Sequence, residues 1–124
     1  MIDQITVEVL RDFLGAWNRH DPDAVAAFFA EDGVFETPRG DHPWGTRVVG
    51  RAQIRDAVAA RFAAIPDIRY SEDVHWVCGE HAVSSWTVSG TPLDGAPLQV
   101  RGCDLLDVRD GEILRKDSYW KLVG

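Results

Sequence analysis

The stretch "RGCDLLDVRDGEILRKDSYW", residues 101–120, decides the fold. Asp110–Gly111 separates two runs that alternate polar and apolar residues, which predicts a hairpin of two antiparallel strands. In the first strand Gly102, Asp104, Leu106 and Val108 share one face, and Cys103, Leu105 and Asp107 share the other. Leu106 and Val108 mark the face of Asp104 as apolar. A carboxylate there is costly unless it is paired, hydrogen-bonded or protonated. In the second strand Leu114, Lys116, Ser118 and Trp120 lie on one face, with Ile113, Arg115, Asp117, Tyr119 and Lys121 on the other. Two registers are open. With Trp120 inward, Lys116 and Ser118 come beside Asp104; in the opposite register Asp117 and Tyr119 do. The sequence leans to the first.

Working outward, "IRYSEDVHWVCG" (68–79), "HAVSSWTVSGTPL" (81–93) and "PLQVRGCDLLDV" (97–108) are rich in valine, tryptophan and threonine and read as further strands. Asp94–Gly95 marks another turn. Before Pro66 the pattern is helical. Val9, Leu10, Phe13, Leu14 and Trp17 recur at helical spacing within residues 5–18. "HDPDAVAAFFAEDG" (20–33) predicts a second helix, with Asp21 as N-cap, Pro22 in the first helical position and Gly33 after the last turn. "GVFETP" (33–38) reads as a short strand and "RGDHPWGTRVVG" (39–50) as a loop. A third helix over residues 51–65 presents Ile54, Val58, Phe62 and Ile65 and stops before Pro66. Helices first and strands afterwards predict an α+β fold, with N-terminal helices packed on one face of a curved, mainly antiparallel sheet.

The chain has 124 residues, which predicts a single domain over 1–124 with one core. Its net charge of −7 argues against nucleic acid and anionic membrane as partners. No apolar run approaches the roughly 20 residues of a membrane span. The opening "MIDQITVEVL" lacks the pattern of a secretory leader. Cys78 and Cys103 have no metal-like spacing and read as buried free thiols in a reducing cytoplasm. No histidine spacing or Gly-rich loop predicts a metal or a phosphate-bearing cofactor.

"WNRHDPD" leading into "FFAEDG", "GRAQIRDAV", and the terminal "DGEI" hairpin together resemble the nuclear transport factor 2-like superfamily. Within it the chain looks closest to the SnoaL-like polyketide cyclase and ketosteroid-isomerase-like group, from about Phe13 to Trp120. The resemblance implies a cone-shaped α+β barrel with an internal pocket, and a homodimer joined through the outer sheet face. It also implies that Asp104 matches a strand aspartate that steroid isomerases keep protonated as an oxyanion donor, an enzyme long used to illustrate a raised carboxyl pKa. Other positions depart from that pattern. The base slot holds Thr37, with Glu36 beside it; Phe13 stands where an oxyanion-hole tyrosine is found; and Ser118, or Asp117 one register step away, aligns with the cyclases' aspartate.

These readings assemble a candidate site. Asp104 is the acid or oxyanion donor, or else a structural carboxylate satisfied by a neighbour such as Lys116. Lys116 and Ser118 complete the polar end, and Glu36 serves as base only if it faces inward. Trp17, Trp86 and Trp120, with Phe13 and with Trp44 at the mouth, form the apolar wall; each aromatic can equally be plain core. His42 is a loop residue near the mouth, His75 alternates with Trp76 and is placed on the outer sheet face, and His20 and His81 face solvent. The expected function is a cofactor-independent isomerase, cyclase or dehydratase acting on a small apolar carbonyl compound. The alternative is a non-catalytic ligand-binding or dimerisation domain of the same fold.

Overall fold

A computed structural model describes residues 4–124, so Met1–Asp3, the start of the leader reading, lie outside the described residues. The elements run α1 (Val7–Asn18), α2 (Pro22–Ala27), β1 (Phe29–Glu36), β2 (Arg47–Val49), α3 (Arg51–Ala64), β3 (Arg69–Cys78), β4 (His81–Gly90), β5 (Leu98–Arg109) and β6 (Glu112–Trp120). Thr6 caps α1 by accepting from Val9 N, and Asp21 caps α2 by accepting from Ala24 N, with Pro22 following it. The strands form one sheet in the order β2-β1-β6-β5-β4-β3. All neighbours are antiparallel except β1 and β6, which run parallel. The sheet stays open, with β2 and β3 as its edges, and with the helices packed on it makes the cone-shaped α+β arrangement that the resemblance implied.

The helices cover the concave face. Leu10, Phe13, Leu14 and Trp17 of α1 and Ile54 and Val58 of α3 are buried against Phe29, Phe35, Trp86, Val88 and Ile113 of the sheet. Burial of this apolar surface is the main favourable term. Asn18 at the end of α1 fixes the docking, donating from Nδ2 to Tyr70 O (2.9 Å) and accepting at Oδ1 from Tyr70 N (2.8 Å). This clamp holds Trp17, one residue earlier, over the sheet.

The second helix is shorter than its sequence predicts, because the chain leaves it at Phe28 and enters β1 at Phe29. Phe29 is fully buried opposite Ile113, whose N–H donates to Phe28 O, and Arg51 binds Phe29 O. These long-range bonds override the helical preference of "AAFFAED". The loop after β1 contains β2, and it turns at Gly45, where φ is +75° and an added Cβ would lie 1.9 Å from Thr37 O.

Two irregularities change which side chains face inward. In β3 the register shifts between Ser71 and Val74, and Glu72 has a φ of +55°. Tyr70 and His75 therefore both face the core, although strict alternation would oppose them. The expectation that His75 lies on the outer face is corrected: it is buried, and Trp76 is exposed instead. In β6 the pairing shifts between Ile113 and Arg115, which turns Ile113 inward together with Lys116 and Ser118. The cysteines are also corrected. Both are free, but Cys78 is exposed and Cys103 half-buried. His20 does not face solvent freely either, since it stacks on Phe62 and its Nε2 lies 2.7 Å from Ile68 O. His81 is exposed, as its position predicts. No helix of the described residues is long and apolar enough to cross a membrane.

On the convex face Glu36 is fully buried between Arg47 of β2 and Arg115 of β6 and bonds to both. Burial pushes its pKa upward, but the two guanidinium groups outweigh burial and hold it below the ordinary 4.5. A lowered folded pKa means that this carboxylate stabilises the fold above its unfolded pKa and loses that contribution as pH falls through the folded value. Glu36→Gln should therefore destabilise the protein by about 1–3 kcal/mol at pH 7, the half-exposed arginines keeping the loss below that of a wholly buried pair. Urea titrations at pH 7 and pH 3 check this: the difference between variant and wild type should shrink at pH 3.

Candidate active site

Asp104 sits on β5, directly opposite Ser84 of β4 and Ser118 of β6. Ser118 Oγ donates to Asp104 Oδ1 at 2.6 Å, and Lys116 Nζ lies 3.0 Å from the same oxygen. Lys116 Nζ also donates to Ser118 Oγ at 2.6 Å, and Trp86 Nε1 donates to Asp104 Oδ2 at 3.3 Å. Asp104, Lys116 and Ser118 are each at most 5% exposed. Asp104 is thus a buried carboxylate whose two oxygens are both engaged, which is the condition for tolerating such a group.

The local sequence explains the placement. Lys116, Ser118 and Trp120 project inward at alternate positions of β6, so the register that the sequence leans to is the one adopted, with Asp117 and Tyr119 outside. Gly102 leaves room for Trp86: a Cβ at Gly102 would come within 2.5 Å of the indole ring. The Lys116 ammonium lies 4.5 Å above the Phe35 ring and 5.0 Å above the Trp17 ring, within reach of a cation–π attraction. Burial pushes the Lys116 pKa below its ordinary 10.5, while Asp104 pulls it back up. A lysine and an aspartate that share one hydroxyl in a dry setting can pass a proton between them, and either can exchange one with a bound molecule.

Two further inward groups escaped the sequence reading. Tyr70 is buried, packs edge-on against Trp86 (4.9 Å), and has its pKa raised by burial, with Arg61 and Asp104 both bearing on it. Arg61 of α3 places its guanidinium 5.0 Å over the Trp120 ring. Tyr70 was hidden by the bulge in β3, and nothing in the local sequence of α3 marks Arg61 as lying over Trp120. His75 and Ser84 extend the polar row sideways: His75 Nδ1 is 2.7 Å from Ser84 Oγ, and Nε2 is 2.6 Å from Asp73 Oδ2.

The remaining candidates divide. Trp17 and Trp86 touch the polar cluster, and Trp120, half-buried, stands at its edge beside Arg61. Phe13 packs among Phe28, Phe29 and Trp17 as core. Trp44 does not join the wall; it is exposed in its loop, stacked on His42 and under Arg47. Glu36 is not in this site. Phe35 opposes Lys116 on the inner face, so the next residue is turned outward, and the reading of Glu36 as its base is corrected. In the hollow between helices and sheet, Trp17 lies edge-on to Phe35, Phe62 and Tyr70, and Tyr70 lies edge-on to Trp86. A depression of about 260 Å³ at the strand ends, lined by Arg39, Gln99 and Lys121 as well as Leu98, Val100 and Trp120, meets the site at Trp120. Among the described residues no group of side chains is arranged to hold a metal ion.

Residues 10–116 match the SnoaL-like domain family. No curated protein matches the chain. Among solved structures, it is similar to a Catenulispora acidiphila protein with a ketosteroid isomerase-like fold in complex with trimethylamine (27% identity, 95% of this chain and 88% of that one, TM-score 0.81). It is similar to a Xanthomonas campestris protein provisionally described as a polyketide cyclase (26% identity, 90% and 87%, TM-score 0.77). It is also similar to a Mesorhizobium loti protein of unknown function with the nuclear transport factor 2-like fold (31% identity, 93% and 89%, TM-score 0.74).

The geometry has a measurable consequence. Lys116→Met leaves Asp104 without its cation and should cost about 3–5 kcal/mol, whereas adding Asp104→Asn should restore part of that loss. Because burial lowers the Lys116 pKa, the unfolded chain takes up this proton first as pH falls from 10.5, so wild-type stability should rise toward pH 10.5. Chemical denaturation between pH 7 and pH 10.5 should show that slope in the wild type and its loss in Lys116→Met.

Proposed function

Because the chain belongs to the SnoaL-like domain family, we propose that its concave face binds a small apolar carbonyl compound and moves a proton on it without a cofactor, as an isomerase, cyclase or dehydratase does. The observation that carries this reading is the buried chain Lys116–Ser118–Asp104. In the proposed step the Lys116 proton has passed through Ser118 to Asp104, leaving the amine neutral, and a carbonyl oxygen beside Asp104 receives a hydrogen bond, or that proton, as negative charge develops on it. Lys116, its basicity reduced by burial, takes the proton from the neighbouring carbon and returns it through Ser118. The carbon acid loses a proton to nitrogen and regains one after rearrangement, so no external oxidant or reductant is needed. Tyr70, buried next to Trp86, offers a phenol in the same region, a group the sequence withholds at Phe13. The molecule would enter past Trp120 from the depression at the strand ends.

A second reading, of a binding domain that does no chemistry, is favoured by one observation: the hollow is filled by aromatic rings, and no carboxylate occupies the usual base position, since Glu36 points outward. The two readings separate by experiment. A thermal-shift screen of small ketones and enones against wild type and Asp104→Asn identifies binders. Each binder is then followed in heavy water by proton NMR. Catalysed loss of the signal alpha to the carbonyl, slowed about 10²–10⁴-fold in Asp104→Asn, is the expected result. Binding with no catalysed exchange would leave the non-catalytic reading.

We further propose that the single domain acts as a homodimer through its convex face, where Val74, Trp76, Leu105 and Tyr119 are exposed. Such a patch is more apolar than a monomer's surface requires. Sedimentation of the wild type should give twice the mass of the chain, and Trp76→Glu should give the monomer.

A further inference from the structure

Donors and acceptors on the concave face are unevenly matched. Both oxygens of Asp104 are already engaged, Oδ1 by Ser118 and Lys116 and Oδ2 by Trp86. Donors remain over. Trp17 Nε1 is buried with no hydrogen-bond partner among the described residues. Lys116 uses two of its three protons on Ser118 and Asp104, and the third is left against the Phe35 and Trp17 rings. Arg61, half-buried and bearing on the Tyr70 phenol, forms no ion pair among the described residues, and its guanidinium lies over Trp120. A buried donor without an acceptor is destabilising, so Trp17 Nε1, with the Lys116 ammonium 5.0 Å from its ring, is complementary to a molecule that brings acceptors.

Charge points the same way. Arg61 contributes a guanidinium cation. If Lys116 is charged, the group of Arg61, Lys116 and Asp104 is net positive; if Lys116 is neutral, the group is neutral. In neither state does it favour a cation. The walls are flat and aromatic: Trp17, Phe62, Tyr70, Trp86 and Trp120. We propose that the molecule taken by this face is a compact aryl oxyanion, a carboxylate or stabilised enolate on a flat apolar body, with its oxygens toward Trp17 Nε1, Lys116 and Arg61. This rests on reading the concave face as the ligand site, and it specifies the ligand's charge and its acceptors.

The whole chain carries a net charge of −7, so non-specific attraction would favour cations and a preference for anions has to be local. Three probes that share one ring system test it: 1-naphthoate, neutral 1-naphthylmethanol and 1-naphthylmethylammonium. Calorimetry gives the affinities, and the five indole N–H signals in nitrogen-15 spectra report the place. Naphthoate should bind at least tenfold tighter than the other two. Arg61→Gln should reduce that preference to threefold or less, and Trp17→Phe should weaken naphthoate more than the alcohol. Arg55→Gln, which removes an arginine paired with Asp23 elsewhere on α3, should change nothing. The Trp17 signal should move downfield while those of exposed Trp44 and Trp76 stay still. The inference is overturned if the alcohol or the ammonium binds the wild type as tightly, or if the preference survives both Arg61→Gln and Trp17→Phe. If none of the probes moves Trp17, Trp86 or Trp120, the concave face is not the ligand site, and the proposed function falls with the inference.

Discussion

A carboxylate and an ammonium withdrawn from water into one small volume must find each other or unfold the chain. Asp104 and Lys116 meet that constraint with Ser118 bridging them, on adjacent strands of the last hairpin. Much of the architecture serves this contact. The Asn18 clamp holds the end of α1 on β3 and thereby keeps Trp17 over the ammonium. Gly102 has no side chain, so Trp86 can lie flat and direct its N–H at the other carboxylate oxygen. Low local dielectric strengthens each of these bonds, and it makes the loss of any partner expensive.

The parallel seam between β1 and β6 is held from both faces by neighbouring residues. Arg115 reaches Glu36 on the convex side, and Lys116 faces Phe35 and Asp104 on the concave side. The two buried carboxylates therefore occupy separate environments. Glu36 is held ionised between two guanidinium groups and behaves as a structural tie. Asp104 stands in an aromatic setting beside a lysine whose basicity burial reduces. Groups that differ in this way can take different roles, and Asp104, next to a suppressed lysine, is the one that the proposed proton transfer uses.

The bulges in β3 and β6 decide which side chains face the interior. Each adds one residue to a strand and exchanges the faces beyond it. The bulge at Glu72 allows Tyr70 and His75 to face the same interior. The shift near Leu114 lets Ile113 seal the core while Lys116 and Ser118 still point inward. Bulges also bend strands, which is how an open sheet curves round two helices without closing.

The sequence by itself determined a great deal. Helical spacing up to Ile65, Asp-Gly turns and valine-rich runs afterwards specify the order of elements, because periodicity is a local property that burial on one face imposes. Asp104 also stood out locally, as a charge on an apolar strand face. Its neighbours did not: that Lys116 and Ser118 are its partners depends on which of two registers the hairpin adopts, and burial of Trp120 on the inner side supports only a leaning. Three-dimensional packing alone decided the rest. Phe29 leaves a helical sequence because Ile113, 84 residues later, offers it a strand to pair with. Glu36 turns outward because Phe35 fills the space over Lys116. His75 and Tyr70 turn inward because one extra residue reverses alternation, and a single inserted residue carries no signature in composition or period. Local pattern states which faces must be buried; only the assembled sheet states which charges meet there.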